Sequence, residues 1–201
     1  MNTLLTEARV FISRISGFRS ILLHFALLVA FGIFVPRMKG LDFLDSRVLA
    51  AYACLGLIFS APATAQAFEG SAAPSFAEAG ARIVISVAYG EIVALALLGG
   101  GMATIYVTNR GHYVPTPDWP SVGKSILFGF GAAAMLASIA AWLTLRFSRK
   151  IAMICLRLAF FGALVLFYYK GQSLPDVGMA WVVACIAFAG IFLTLVKKEC
   201  R

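Results

Sequence analysis

The chain has 201 residues, of which 61% are hydrophobic and only 13% charged, and its net charge at pH 7 is +8. A soluble domain is about half apolar and about a quarter charged, and a soluble fold of this length has no interior large enough to bury the excess apolar side chains. The basic residues are spread along the chain and are not clustered as in a groove-binding protein, which argues against a nucleic-acid partner.

Residues 1–19 form a segment of their own and predict an amphipathic helix. One helical face is predicted from the spacing of Leu4, Ala8, Phe11, Ile12 and Ile15, and arginine and serine residues occupy much of the remaining surface. A basic helix of this kind is expected to lie in a membrane interface, with its arginines near lipid phosphates. The alternative interpretation is a basic retention signal that happens to be helical.

Six apolar runs follow, and each is long enough to cross a hydrocarbon layer of about 30 Å as a helix. The runs do not alternate apolar and polar residues, as the strands of a membrane barrel would. The predicted fold class is therefore all-α, a polytopic membrane protein in which residues 20–201 form a bundle of about six transmembrane helices. The predicted spans are residues 20–36, 48–68, 83–108, 125–145, 151–169 and 177–196.

The distribution of basic residues predicts the orientation of these spans. Lysine and arginine accumulate on cytoplasmic loops, and an inside N-terminus places ten of them inside and six outside, with Arg157 within a span. An even number of spans returns the C-terminus to the same side. We therefore expect an integral protein of the bacterial inner membrane, with both termini in the cytoplasm and lipids as neighbours.

Motifs for independent catalysis are missing from the sequence. Residues 118–125 end in a Gly-Lys-Ser, but Asp118 stands where a phosphate-binding loop needs glycine. The four cysteines form no C-x-x-C pair. His24, within the first predicted span, is interpreted as a hydrogen-bonded packing residue, although a haem ligand remains possible. We expect no enzyme activity, cofactor or metal, since a lipid-modifying enzyme would need a catalytic constellation that these residues do not supply.

Two further ionisable residues, Glu91 and Arg157, fall within predicted spans, where such groups are costly and usually face protein or water. They could form a buried pair in a substrate path. In the other interpretation, residues 76–89 form a cytoplasmic interfacial helix and Glu91 marks the start of the true span, while Arg157 extends its side chain toward the cytoplasmic face.

The layout resembles the permease subunit of type-2 ABC transporters. The resemblance is carried by residues 57–68 (LIFSAPATAQAF), 82–92 (RIVISVAYGEI) and 137–152 (ASIAAWLTLRFSRKIA). It implies a separate ATPase subunit that docks on residues 69–91 and rocks two permease halves, with the transport path at their interface. The docking residues that it implies are Glu69, Glu78, Arg82 and Glu91. In place of the charged stretch usual before the docking helix, this chain has EGSAAP at residues 69–74.

The predicted function is a membrane-spanning permease subunit of an ABC-type exporter, acting as a dimer of halves or beside other membrane subunits. The alternative is a non-catalytic scaffold or anchor subunit of a larger membrane complex, which short loops and the lack of a catalytic cluster would equally suit. Copurification of an ATPase separates the two. Apolar spans hint at a hydrophobic cargo, but a structural bundle would have the same composition.

Overall fold

The computed structural model describes residues 2–15, 26, 59–69, 74–108, 119–158 and 174–200. All regular secondary structure in these ranges is helical, which confirms the predicted all-α class. The first predicted span, apart from Ala26, lies outside the described residues, and so does His24. The helices are α1 (Asn2–Ile15), α2 (59–68), α3 (Phe76–Thr108), α4 (Trp119–Arg146), α5 (149–158) and α6 (Leu174–Glu199).

Two of these helices contain a segment long and apolar enough to cross a membrane. The segments are Phe76–Ala96 in α3, of which 39% is buried, and Gly129–Arg146 in α4, of which 50% is buried. The predicted bundle of six spans is thus represented by two candidate spans within the described part of the chain, and the other four remain predictions.

Helix α3 runs without interruption for 33 residues, about 50 Å at 1.5 Å per residue. The sequence had suggested an interfacial segment over residues 76–89, a break, and a span beginning at Glu91. The structure has no break there, and Gly90 is a buried residue within the continuous helix. Glycines at 99–101 also remain helical, which is tolerated at about 1 kcal/mol each.

The helices pack through small side chains. Helix α4 packs most extensively on α6 and also contacts α3, while α1 packs on α3. The contact face of α4 is built from alanines that are at most 3% exposed: Ala132, Ala133, Ala137, Ala140 and Ala141. Such residues let helix backbones approach closely.

Large apolar side chains lie on the outside of the same helices. Ile92 is 66% exposed on α3, Leu158 is 68% exposed on α5, and Val183 is 63% exposed on α6. Among the side chains that are almost fully buried, the largest is Val196. Water-soluble proteins show the opposite order, with valine, isoleucine and leucine among the residues most often fully buried.

Candidate functional site

Charged side chains collect where α2, α4 and α6 end and where α3 and α5 begin. Contacts between helices bring these positions together: Arg149 at the start of α5 pairs with Glu69 after α2, and Arg146 lies 3.7 Å from Glu199 at the ends of α4 and α6. These contacts bring the ends of α2, α4 and α6 together with the start of α5 at one end of the bundle. We name this region the charged end, and its members are Glu7, Glu69, Glu78, Arg82, Arg146, Arg149, Lys150, Lys197, Lys198 and Glu199.

Helix α3 begins at the charged end with a reciprocal cap. The backbone N–H of Ser75 donates to Glu78 Oε2 (2.9 Å), and the N–H of Glu78 donates to Ser75 Oγ (3.3 Å). This is the capping box of an S-x-x-E sequence, which satisfies two backbone donors that a helix start would leave free. The carboxylate of Glu78 is thereby fixed against its own helix.

Arg82, one turn further along α3, joins three helices. Its Nε donates to Glu7 Oε2 of α1 (2.9 Å), and its Nη2 donates to Glu7 Oε1 (3.3 Å). Its Nη1 donates to the carbonyl of Ala67 near the end of α2 (3.2 Å), and the guanidinium lies over the Phe68 ring. The side chains of Arg82 and Glu7 are only 16% and 14% exposed. The planar guanidinium therefore links α3 to α1 and α2 through largely buried contacts.

Helix α1 lies against α3 beyond this ion pair. The rings of Phe11 and Tyr89 meet edge to face, with centroids 5.6 Å apart, and Phe11 is the most deeply buried residue of the predicted apolar stripe. Leu5 and Ile12 lie on an adjacent side of α1 and are 56% and 62% exposed. Arg9 follows Leu5 by four residues and precedes Ile12 by three, so the helix has a protein-facing side and an uncovered side that carries Leu5, Ile12 and Arg9 together.

The outer part of the charged end is more open to solvent. Arg149 and Glu69 have side chains that are 40% and 50% exposed, and the Lys197 ammonium lies over the Phe76 ring, 5.8 Å from its centroid. Ser148 Oγ accepts a bond from the Ile151 N–H and caps α5. Solvent-exposed ion pairs of this kind stabilise a fold by about 0–1 kcal/mol, so these side chains can change partners at little cost.

Cys200 follows α6 and lies beside the same group of charges. Burial raises the pKa of the Cys200 thiol; the Glu199 and Glu78 carboxylates act in the same direction and the Arg82 guanidinium opposes them. A thiol with a raised pKa carries less of the nucleophilic thiolate at neutral pH. The C-terminal end of α6 thus faces the beginning of α3, although these two helices touch little elsewhere.

Glu91 has a different environment. It is 3% exposed, and its Oε1 has no hydrogen-bond partner within the described residues. Arg157 is exposed on α5, so the pair considered from the sequence is not formed. No group of three or more His, Cys, Asp or Glu side chains in the described ranges is placed to hold a metal ion.

Three of the four predicted docking residues, Glu69, Glu78 and Arg82, meet at the charged end. Glu91 is buried about 20 Å further along α3 than Glu78. Glu7, which completes the Arg82 site, was not singled out from the sequence. The sequence does contain a signal for this residue, since Glu7 is the single carboxylate of an otherwise basic amphipathic helix.

No protein-family model, curated protein or solved structure matches this chain.

Proposed function

We propose that the chain is an integral membrane protein. The observation that carries the proposal is the packing of the described helices, in which alanine and serine supply most of the buried side chains while many large apolar side chains are exposed. In lipid the tails are as apolar as leucine, so helices associate through small residues while larger apolar residues face the bilayer. The uncovered side of α1, which carries Leu5 and Ile12 together with Arg9, suits a position at the membrane interface.

The charged end would then face the cytoplasm. Six basic side chains gather there, whereas Lys124 is the basic residue described near the opposite end of α4. Cytoplasmic ends of membrane helices carry the excess of lysine and arginine. We therefore propose that both chain termini lie in the cytoplasm, as in an inner-membrane protein with N-in, C-in topology.

Within this frame, we propose a permease subunit of an exporter that is driven by a separate ATPase. The charged end supplies the docking surface, because Glu69, Arg149 and Lys150 are accessible there and two capped helices, α3 and α5, begin beside them. Arg82 faces inward and would support this surface from behind, whereas Glu91 lies about 20 Å further along α3 than Glu78 and would take no part in docking. The transport path would lie between two permease halves, as the sequence resemblance implies.

A scaffold or anchor subunit is the second candidate, and one observation favours it. Glu78 is engaged in a helix cap and Arg82 in a three-helix junction, which are structural roles. A chain that only holds other membrane subunits would keep these internal contacts and need no partner at the charged end.

Copurification with a tagged full-length chain in mild detergent tests the proposal. We expect an ATPase subunit in stoichiometric amount, and we expect its loss when Arg149→Glu and Lys150→Glu are combined. Lys124→Glu, which reverses an exposed charge at the other end, is the matched control and should retain the partner.

Recovery of other membrane proteins without any ATPase would reject the permease assignment in favour of the scaffold. Loss of the partner in both variants would show that charge alone, and not the charged end, determines docking. A chain that remains in the soluble fraction without detergent would reject membrane integration itself.

A further inference from the structure

One side of α4 carries an apolar stripe that is only partly covered and that ends at the charged end. Met135, Ile139 and Trp142 follow one another at intervals of four and three residues, and Arg146 comes four residues later. This spacing places all four residues on one side of the helix. The first three are half-buried, whereas the Arg146 side chain is 59% exposed. The stripe extends over about 16 Å, close to the depth of one leaflet of a bilayer whose apolar core is about 30 Å thick.

Aromatic rings from α6 and from the turn after α4 border this stripe. The Trp142 ring meets the Phe192 ring of α6 at a centroid distance of 5.7 Å and the Phe147 ring at 6.1 Å. Phe188, one turn before Phe192, is 52% exposed, and Phe147 is 56% exposed. Tryptophan collects at the level where the hydrocarbon of a membrane meets the headgroups, and Trp142 lies one turn of α4 inside Arg146.

The guanidinium of Arg146 is only loosely held. Its Nη1 lies 3.7 Å from Glu199 Oε1, beyond the distance of a hydrogen bond, and such an exposed pair contributes only about 0–1 kcal/mol. Lys198, the residue before Glu199, is exposed on α6 and adds a second cation nearby. Because a guanidinium can bind two phosphate oxygens at once, a lipid phosphate can compete with Glu199 for Arg146.

We propose that this surface binds an anionic phospholipid, with the phosphate at Arg146 and an acyl chain along the stripe of α4. We name it the lipid site, and its members are Met135, Ile139, Trp142, Arg146, Phe188 and Phe192. Basic pockets between membrane helices on the cytoplasmic side bind the headgroups of anionic lipids. An anionic lipid brings a net negative charge to a helix end rich in lysine and arginine, whereas a zwitterionic lipid brings none.

Lipid binding at this site rests on the proposed membrane integration and not on ATP-driven transport. The lipid site is built from α4 and α6, whereas the docking surface proposed for the ATPase is built from Glu69, Arg149 and Lys150. The full-length chain in lipid vesicles is sufficient for the test, so lipid binding can succeed or fail independently of any ATPase.

Quenching of Trp142 fluorescence by brominated lipids provides the test. Trp119 and Trp181, the other two tryptophans, are replaced by phenylalanine, and the chain is reconstituted in vesicles of phosphatidylcholine and phosphatidylglycerol. Either the phosphatidylglycerol or an equal mole fraction of the phosphatidylcholine carries brominated acyl chains. We expect a several-fold larger quenching constant for brominated phosphatidylglycerol. Added salt should reduce this preference, because the contact with the headgroup is electrostatic.

Arg146→Gln should abolish the preference for phosphatidylglycerol, and Arg146→Lys should keep part of it, since the charge remains but the fork is lost. Lys124→Gln, at the opposite end of α4, is the matched control and should leave the preference unchanged. Equal quenching by the two lipids, or an equal loss of preference in Arg146→Gln and Lys124→Gln, would overturn the proposal.

Two further outcomes separate this proposal from its alternatives. Soluble glycerol phosphate should not remove the preference, because it lacks the acyl chain that lies along the stripe; its removal would show a site for free phosphate and would reject the lipid. The absence of quenching by either brominated lipid would instead reject membrane integration itself.

Discussion

Replacing Arg82 with alanine tests whether the three-helix junction holds α1 and α2 against α3. The substitution removes the forked pair with Glu7, the bond to the Ala67 carbonyl and the contact with the Phe68 ring. It also leaves Glu7, whose side chain is 14% exposed, as a carboxylate without its described cation.

The expected loss of unfolding free energy follows from the burial of the Arg82 and Glu7 side chains. Removing one partner of a buried ion pair costs about 3–5 kcal/mol, and a hydrogen bond to a charged group contributes about 1.5–3 kcal/mol. Because both side chains keep some contact with solvent, we place the loss of unfolding free energy near the lower limit, at about 3 kcal/mol. Arg82→Lys keeps the charge but loses the fork and should have an intermediate effect.

Unfolding of the detergent-solubilised chain by increasing sodium dodecyl sulfate, followed by tryptophan fluorescence, measures this loss. Arg146→Ala is the control. Arg146 also pairs with a glutamate, with its Nη1 3.7 Å from Glu199 Oε1, but its side chain is 59% exposed. This variant should therefore lose at most about 1 kcal/mol of unfolding free energy. Combining Glu7→Leu with Arg82→Met should recover much of the stability, since no buried charge is then left unpaired. Equal losses in Arg82→Ala and Arg146→Ala would refute the reasoning.

Three further outcomes are expected. Ser75→Ala should lower the unfolding free energy by about 1 kcal/mol through loss of the α3 cap, as measured in the same titration. Ala137→Leu, at a fully buried position, should cost about 1–3 kcal/mol by overpacking, whereas Ala88→Leu on the exposed side of α3 should be nearly neutral. Because burial raises the pKa of Cys200, its alkylation should be slow at neutral pH and accelerate in alkali. Arg82→Ala removes a nearby positive charge, so it should raise that pKa further and slow the reaction; a faster reaction would contradict the assignment.

The helical class was predictable because long apolar runs without alternation permit little else. The amphipathic pattern of α1 was also predictable from the sequence, but periodicity does not identify what covers each side of a helix. Phe11 faces α3, whereas Ile12 of the same predicted stripe is exposed. Which of these residues is buried depends on how α1 packs against α3, and the local sequence of α1 does not specify this packing.

The charged end was only partly predictable. The sequence S-x-x-E before an apolar run is a recognised cap signature, so the role of Glu78 at the start of α3 could have been read from Ser75. The pairing of Arg82 with Glu7 joins residues 75 positions apart, and no local pattern encodes it. The burial of Glu91 depends on which side of a continuous α3 faces the other helices. The interpretation with a break near Glu91 did not contain this continuous helix, so it could not predict the burial.

The uninterrupted backbone of α3 has a mechanical consequence. A capped helix about 50 Å long, without a proline or a break, behaves as a stiff rod, so a tilt of about 5° moves one end by about 4 Å relative to the other. The Arg82 junction lies about one fifth of the way along this rod and ties it to α1 and α2, while no such tie to α1 is described beyond Glu91. Because the junction lies nearer to Ser75 than to Thr108, a small displacement of α3 at Ser75 would be accompanied by a larger displacement of its far end.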